Sequence, residues 1–223
     1  MKRSEINNAI KWAEARFKDL NITLPPFANR AVDDWDKKDD EVIISTMMGW
    51  DVTDFGRGDF SKVGAVLFTV RNGDVHNPDL GVPYCEKYIV LKDGNCQEIP
   101  MHYHIDKTED IINRGGGILC VQVCGRNGDD MPDMDSTTDV YMDGRKYTFG
   151  GNDVIEVQPG ASITLEPFVY HRFWAKTGAG DLVIGEVSKV NDDNNDNIFA
   201  DRSERFSEVI EDEPKYRLLV NEY

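Results

Sequence analysis

The 223 residues predict an all-β fold, an antiparallel sandwich or barrel with a helical extension before it and a short C-terminal segment packed on it. Three observations carry that expectation. Short apolar, β-branched runs succeed one another from about Val42 to Ser188 with no helical period between them. Asn-Gly and Asp-Gly pairs separate several of these runs. The one clear 3.6-residue period lies ahead of Pro25-Pro26.

In chain order, Ile6, Ile10, Ala13 and Phe17 recur at spacings of three and four, so a helix capped by Ser4 presents one apolar stripe. It ends before Pro25-Pro26, and the polar stretch with Asp33, Asp34 and Trp35 can hold a further short helix. Residues 63–70 run to Asn72-Gly73, residues 84–91 run to Asp93-Gly94, and residues 140–142 meet 145–149 across Asp143-Gly144. Each pair reads as a hairpin turn, because both central residues must tolerate positive φ. Residues 118–123, 154–157, 162–165, 171–175 and 182–188 complete the strands. The expected organisation is one domain over residues 1–223: a helical extension over about 1–40, a barrel over about 42–190, and a C-terminal extension over about 191–223. The polar run Asn191 to Asn197 reads as a solvated loop. It is no calcium loop, because Ile198 stands where an EF-hand needs glycine. Beyond it, Phe206, Ile210 and Leu218 to Val220 supply apolar surface to pack back on the body.

Lys plus Arg number 25 against 41 Asp plus Glu, a formal charge of −16. Such a surface repels phosphate backbones and anionic lipids, so neither nucleic acid nor membrane is an expected partner, and a small neutral molecule or a cation is. With 40% hydrophobic residues the chain has core-forming material despite its acidity. Polar residues interrupt the N-terminal region where a secretory signal would need an apolar stretch, and no run approaches the roughly 18 apolar residues of a membrane span. A cytoplasmic location is expected. Cys85, Cys96, Cys120 and Cys124 then read as reduced core residues rather than a disulfide framework.

The chemistry centres on a histidine-poor chain: His76, His102, His104 and His171. In Pro100-Met101-His102-Tyr103-His104, strand periodicity sends both imidazoles to one face and Tyr103 to the other. Glu109 follows five residues later, and His171 lies in another strand-like segment. A lone histidine in a strand is usually a satisfied core or surface residue, and His76, in a loop beside Asn77-Pro78, reads that way. Three imidazoles and a carboxylate instead suit Mn(II), Fe(II), Co(II), Ni(II) or Zn(II).

Gly94, His102, His104, Glu109 and Gly116 resemble the first cupin motif, and His171, after Pro159-Gly160 and Pro167, is similar to the histidine of the second. The chain departs from the pattern in the spacing of Gly94 to His102, in the residues before His171, and at Trp174, where asparagine is frequent. The resemblance implies a jelly-roll-like, cupin-type antiparallel barrel. A longer likeness covers nearly the whole chain: Leu24-Pro25-Pro26-Phe27-Ala28, His102 to Asp110, Gly185-Glu186-Val187-Ser188, Val190 to Asp193, and Leu218 to Tyr223. These segments resemble the D-lyxose isomerases. That resemblance implies a manganese-preferring isomerase acting on D-lyxose and D-xylulose, and commonly on D-mannose and D-fructose, with His102, His104, Glu109 and His171 as metal ligands. A homodimer is expected on the frequency of two-fold assemblies and of paired cupin sheets.

Aldose–ketose isomerisation moves a proton between C1 and C2 while negative charge develops on oxygen. Four protein ligands leave two octahedral positions for the sugar's O1 and O2. A carboxylate must shuttle the proton and an acid must steady the oxygens. Lys107, between His104 and Glu109, is the candidate acid, although lone lysines are usually solvated. Glu186, if it shares an inward face with Ile184 and Ser188, is one candidate base. Glu204 is another, and Glu109 a third if one oxygen leaves the metal. The competing functions are an Fe(II)-dependent cupin dioxygenase and a non-catalytic sugar-binding cupin.

Overall fold

The computed structural model describes residues 1–93, 98–192, 195–201 and 208–223. Helix α1 spans Arg3–Asp19, two 3-10 turns follow at Pro26–Asn29 and Val32–Asp34, and the one-turn α2 spans Glu41–Ser45. The strands among the described residues are β1 (Gly49–Thr53), β2 (Ala65–Gly73), β3 (Gly81–Leu91), β4 (Glu98–His104), β5 (Glu109–Gly115), β6 (Leu119–Arg126), β7 (Pro132–Asp133), β8 (Thr137–Met142), β9 (Arg145–Gly150), β10 (Ile155–Val157), β11 (Ser162–Leu165), β12 (Tyr170–Ala175), β13 (Leu182–Ser188) and β14 (Asn197–Phe199).

They form two antiparallel sheets, one ordered β1-β2-β3-β13-β5-β11-β8-β9, the other β10-β6-β12-β4-β14 with β7 beside β6. The main core lies between them, with Leu67, Ile89, Ile111 and Ile184 from the large sheet and Ile99, Val121, Val123 and Phe173 from the small one. A second core covers the outer face of the large sheet. There the stripe Ile6, Ile10, Ala13 and Phe17 of α1 packs on Trp50, Val52, Phe68, Val90 and Val183. Because α1 covers the outside, strands β1 and β2 are buried on both faces, and residues 65–70 of β2 read as a nearly unbroken apolar run instead of an alternating one.

Two insertions in the strand order position the site. Strand β13 enters between β3 and β5, so its register sets Glu186 between Lys87 and Ile111, and Ser188 between Cys85 and Glu109. Strand β12 lies between β6 and β4 and brings His171 opposite His102. β14 then pairs with the free edge of β4, matching Asn197 with His104 and Phe199 with His102.

Several sequence expectations need correction. Helix α1 begins at Arg3 after Lys2, and Ser4 is no cap: its hydroxyl donates to Asp212 at 2.7 Å, while Glu5 reaches back to the Lys2 N–H at 2.8 Å. Strands begin at Gly49 rather than near Val42. The run Val42-Ile43-Ile44 reads as strand by β-branching but closes a helical turn, with Thr46 N–H bonded to Val42 O, because local context overrides a weak propensity. Asn72-Gly73 is not the hairpin turn between β2 and β3; it ends β2, Gly73 pairs with Gly81, and residues 74–80 make the connection. Asp143-Gly144 does turn, with φ of 48° and 81°, as a two-residue β8–β9 hairpin requires. Ile210 stays 61% exposed while its backbone bridges Lys2, whereas Leu219 and Val220 are buried as expected. Cys85, Cys120 and Cys124 are free and buried. Gly94, Cys96, Asp193, Glu204 and Phe206 lie outside the described residues.

The candidate metal centre and active site

The two imidazoles of β4 point into the barrel and Tyr103 points out, into a cluster with Cys124 and Tyr170. His102 Nδ1 lies 2.7 Å from Pro100 O, and His171 Nδ1 lies 2.9 Å from Val169 O. A carbonyl can only accept, so both rings carry their proton on Nδ1 and turn the Nε2 lone pair inward. The His102 and His171 ring centroids are 4.2 Å apart, and those of His102 and His104 4.9 Å. Glu109, at the start of β5, sets one oxygen 3.1 Å from His171 Nε2 and the other 3.4 Å from His104 Nε2. One donor atom from each of His102, His104, Glu109 and His171 lies within 4.8 Å of all the others, and all four residues are buried.

The electrostatics fit a cation. Burial, then the neighbouring His171 and His104, pushes His102 well below the ordinary imidazole value, and burial with the Lys107 ammonium lowers His104, so these rings are neutral donors. Burial opposes ionisation of Glu109, but the Lys107 ammonium outweighs it and holds the carboxyl well below its usual range. Neither ring nitrogen of His104, nor His171 Nε2, has a hydrogen-bond partner. Buried lone pairs converging without a donor are costly. A divalent ion satisfies the two Nε2 lone pairs that converge beside Glu109, and a mixed N/O donor set of this kind suits a transition metal.

Beside this cluster runs a chain of buried charges. Lys107 Nζ lies 2.9 Å from Glu109 Oε2 and 3.1 Å from Glu186 Oε1. Lys87 Nζ lies 3.6 Å from the same Glu186 oxygen. Lys87, Lys107 and Glu186 are each no more than 4% exposed. Glu186 therefore shares the inward face with Ile184 and Ser188, as the alternation in β13 predicts. Lys107 is not a solvated loop residue. The structure describes nothing at Glu204. His76 is exposed in the β2–β3 connection and is not among the four clustered donors.

A cavity of about 50 Å3 joins His102, His104, Glu109, both lysines and Glu186, and Phe55, Ile99, Phe173 and Phe199 wall its apolar side. Phe199 packs 5.3 Å from His102 and 5.8 Å from Phe55. Such a space takes an ion and a few waters. Sequence reasoning missed Lys87 and Phe199. Lys87 did leave a signal, since it shares strand parity with the inward Cys85 and Ile89; Phe199, two residues beyond the run read as loop, left none.

Two curled antiparallel sheets enclosing a buried His-x-His, Glu and His cluster define a cupin. The family model described as D-lyxose isomerase matches residues 1–223. The chain is 40% identical over 226 aligned positions to the D-lyxose/D-mannose isomerase of Escherichia coli O157:H7, covering 100% of this chain and 98% of that protein. It is 40% identical over 227 positions to the protein of the same name from Serratia proteamaculans, with the same coverage. Among solved structures, the ligand-free L-ribose isomerase of Cellulomonas parahominis aligns with a TM-score of 0.60 at 15% identity, over 94% of this chain and 98% of that one. The L-ribose isomerase of Acinetobacter sp. DL28 with L-ribose aligns at 0.59 and 14%, over 93% and 98%. These likenesses confirm the fold. The chain belongs to the D-lyxose isomerase family and is a sugar aldose–ketose isomerase.

Proposed function

We propose that the protein interconverts D-lyxose and D-xylulose, and D-mannose and D-fructose, by proton transfer between C1 and C2 of the open-chain sugar. The observation that carries this reading is one cavity lined by the Lys107–Glu186 pair at 3.1 Å and by His102, His104 and Glu109 of the buried three-histidine, one-glutamate cluster. The two family relatives are named for lyxose and mannose, which carry the same configuration at the reacting carbons.

In this reading His102, His104, Glu109 and His171 hold one divalent ion, Mn2+ by preference. When bound, it polarises the sugar carbonyl as a Lewis acid and offsets charge on the neighbouring oxygen. Glu186 takes the proton from C2 of the aldose, the C–H electron pair forms the C1–C2 double bond, and O1 gains a proton from a lysine ammonium. Return of the carbon proton from Glu186 to C1 and passage of the O2 proton to the lysine that had given one up complete the ketose and restore both groups. Lys107 and Lys87 donate to the oxygens that carry charge, and the apolar wall keeps water from the enediol. Glu204 is the second candidate base. A cytoplasmic homodimer completes the reading.

The test uses 2-deuterated lyxose or mannose with Mn2+ restored after chelation. Partial loss of label to water is expected. Full retention of label at C1, together with undiminished kcat in both Glu186→Gln and Glu204→Gln, would overturn transfer through either carboxylate. Oxygen uptake with Fe(II) and reductant would point to a dioxygenase, and absence of any C2 exchange to a binding protein.

A further inference from the structure

We infer that Asn191, clamped by Asn72, is the positioning residue that fixes both lysine side chains through the catalytic cycle. The inference rests on the roles proposed above for Lys87 and Lys107. The chain leaves the barrel after Ser188, and three residues later its backbone is caught by a side chain from the end of β2. The Asn191 N–H donates to Asn72 Oδ1 at 3.0 Å, and Asn72 Nδ2 donates to Asn191 O at 3.1 Å and to Thr46 O at 3.1 Å. Asn72 is 4% exposed, and its amide pairs with the Asn191 backbone as a neighbouring strand would, joining residues 119 apart in sequence. The approach is tight: a Cβ on Gly73 would lie 2.1 Å from Val82 O and 3.2 Å from Val190 Cγ2, so only glycine fits.

With its backbone fixed, Asn191 presents Oδ1 to both ammoniums, 3.1 Å from Lys87 Nζ and 3.4 Å from Lys107 Nζ. The same two ammoniums face Glu186 Oε1. Two like charges this close in a buried site repel, and a shared acceptor is what keeps them together. Glu186 is a charged, strong acceptor only while it is a carboxylate, and the proposed reaction makes it a neutral, weaker one midway. Asn191 Oδ1 keeps its partial charge throughout, so the lysines stay aimed when the Glu186 charge is gone. An amide also holds them without adding a second negative charge that would draw them from the sugar.

The test is steady-state kinetics on the manganese-loaded enzyme with Asn191→Leu, Asn191→Asp, Asn72→Ala and the Asn191→Leu/Asn72→Ala double variant, beside Lys87→Met and Lys107→Met. Asn191→Leu keeps the shape and removes the acceptor; kcat is expected to fall about a hundredfold with KM changed less than about threefold, since positioning acts on the transition state. Asn191→Asp restores an oxygen and should recover to within about tenfold of the parent. Asn72→Ala should fall like Asn191→Leu, and the double variant no further, because both act through the same lysines. Parental kcat in Asn191→Leu with both lysine variants inactive overturns this inference and leaves the proposed function standing. Parental kcat in the lysine variants overturns both. If Asn191→Leu does not fold, Asn72→Ala decides, and parental kcat there overturns the clamp.

Discussion

At the scale of the residue, the site is built from constraints that each side chain meets twice. His102 and His171 each bond Nδ1 to the carbonyl two residues earlier, which fixes both tautomer and aim. His104 lacks that bond; its Nδ1 lies 3.7 Å from Asp196, whose carboxylate also accepts from the N–H groups of Ile105 and Asp106. A His104→Ala/His171→Ala variant is therefore expected to retain no stoichiometric metal. Elemental analysis after dialysis checks this, and one ion per chain in that variant would refute the ligand set. A second residue-scale expectation concerns Asp40, which is 6% exposed and accepts from Arg30 and from the Asp36 N–H at 3.0 Å. The Arg30 hydrogen bond holds its carboxyl below the ordinary 3.8. The folded state thus favours the carboxylate, and the stabilisation is full above about pH 4 and lost as pH falls through the depressed value. Asp40→Asn should lower the melting temperature at pH 7, and its gap to the parent should close as the pH drops below about 4. A gap that widens on acidification would contradict the sign.

At the scale of the element, α1 and the C-terminal segment are one assembly. Arg3 is fully buried, with Nε 2.8 Å and Nη2 2.7 Å from the Glu211 carboxylate, and it also pairs with Glu222. Asn7 donates to Glu213 at 2.6 Å and to Pro214 O at 2.9 Å. The helix in turn seals the outer face of the large sheet, with the Phe17 ring 5.4 Å from Tyr88 and 6.2 Å from Trp50. Phe17→Ala leaves a cavity beneath this helix, so it should cost about 3–5 kcal/mol in urea unfolding. Because Phe17 packs on the face opposite the histidines, the metal content of the folded variant should not change. Loss of metal would mean that α1 shapes the barrel interior as well.

At the scale of the whole molecule, the two sheets meet at the cluster: His102, His104 and His171 come from the small sheet and Glu109 from the large one. An ion there ties the sheets together and binds only the folded chain, so at about a thousandfold excess over Kd it adds about 4 kcal/mol, or about 10 °C in melting temperature. Chelation followed by a thermal scan measures this. An unchanged Tm after a demonstrated removal would break the link between metal and fold. Without metal the chain should still unfold in one transition from residue 1 to 223; two resolved transitions would separate the helical extension from the barrel.

Much of this was legible in one dimension, because strand alternation is a local property. Period two placed His102 and His104 together, Tyr103 opposite them, and Glu186 with Ile184 and Ser188, while period 3.6 placed the stripe of α1. Positive φ made Asp143-Gly144 a turn. Asn72-Gly73 carried the same local signal and was not one, because the Asn72 amide is committed to Thr46 and Asn191, partners that no local pattern reveals. Strand order is likewise non-local: only the insertion of β13 between β3 and β5 makes Lys87 a neighbour of Glu186, and only the pairing of β14 with β4 lays Phe199 on His102. The sequence by itself determined the donor types, the faces they occupy and the family. The tertiary structure alone decided which buried charges meet, because cross-strand contact depends on topology and register, and these are settled by the packing of the entire chain.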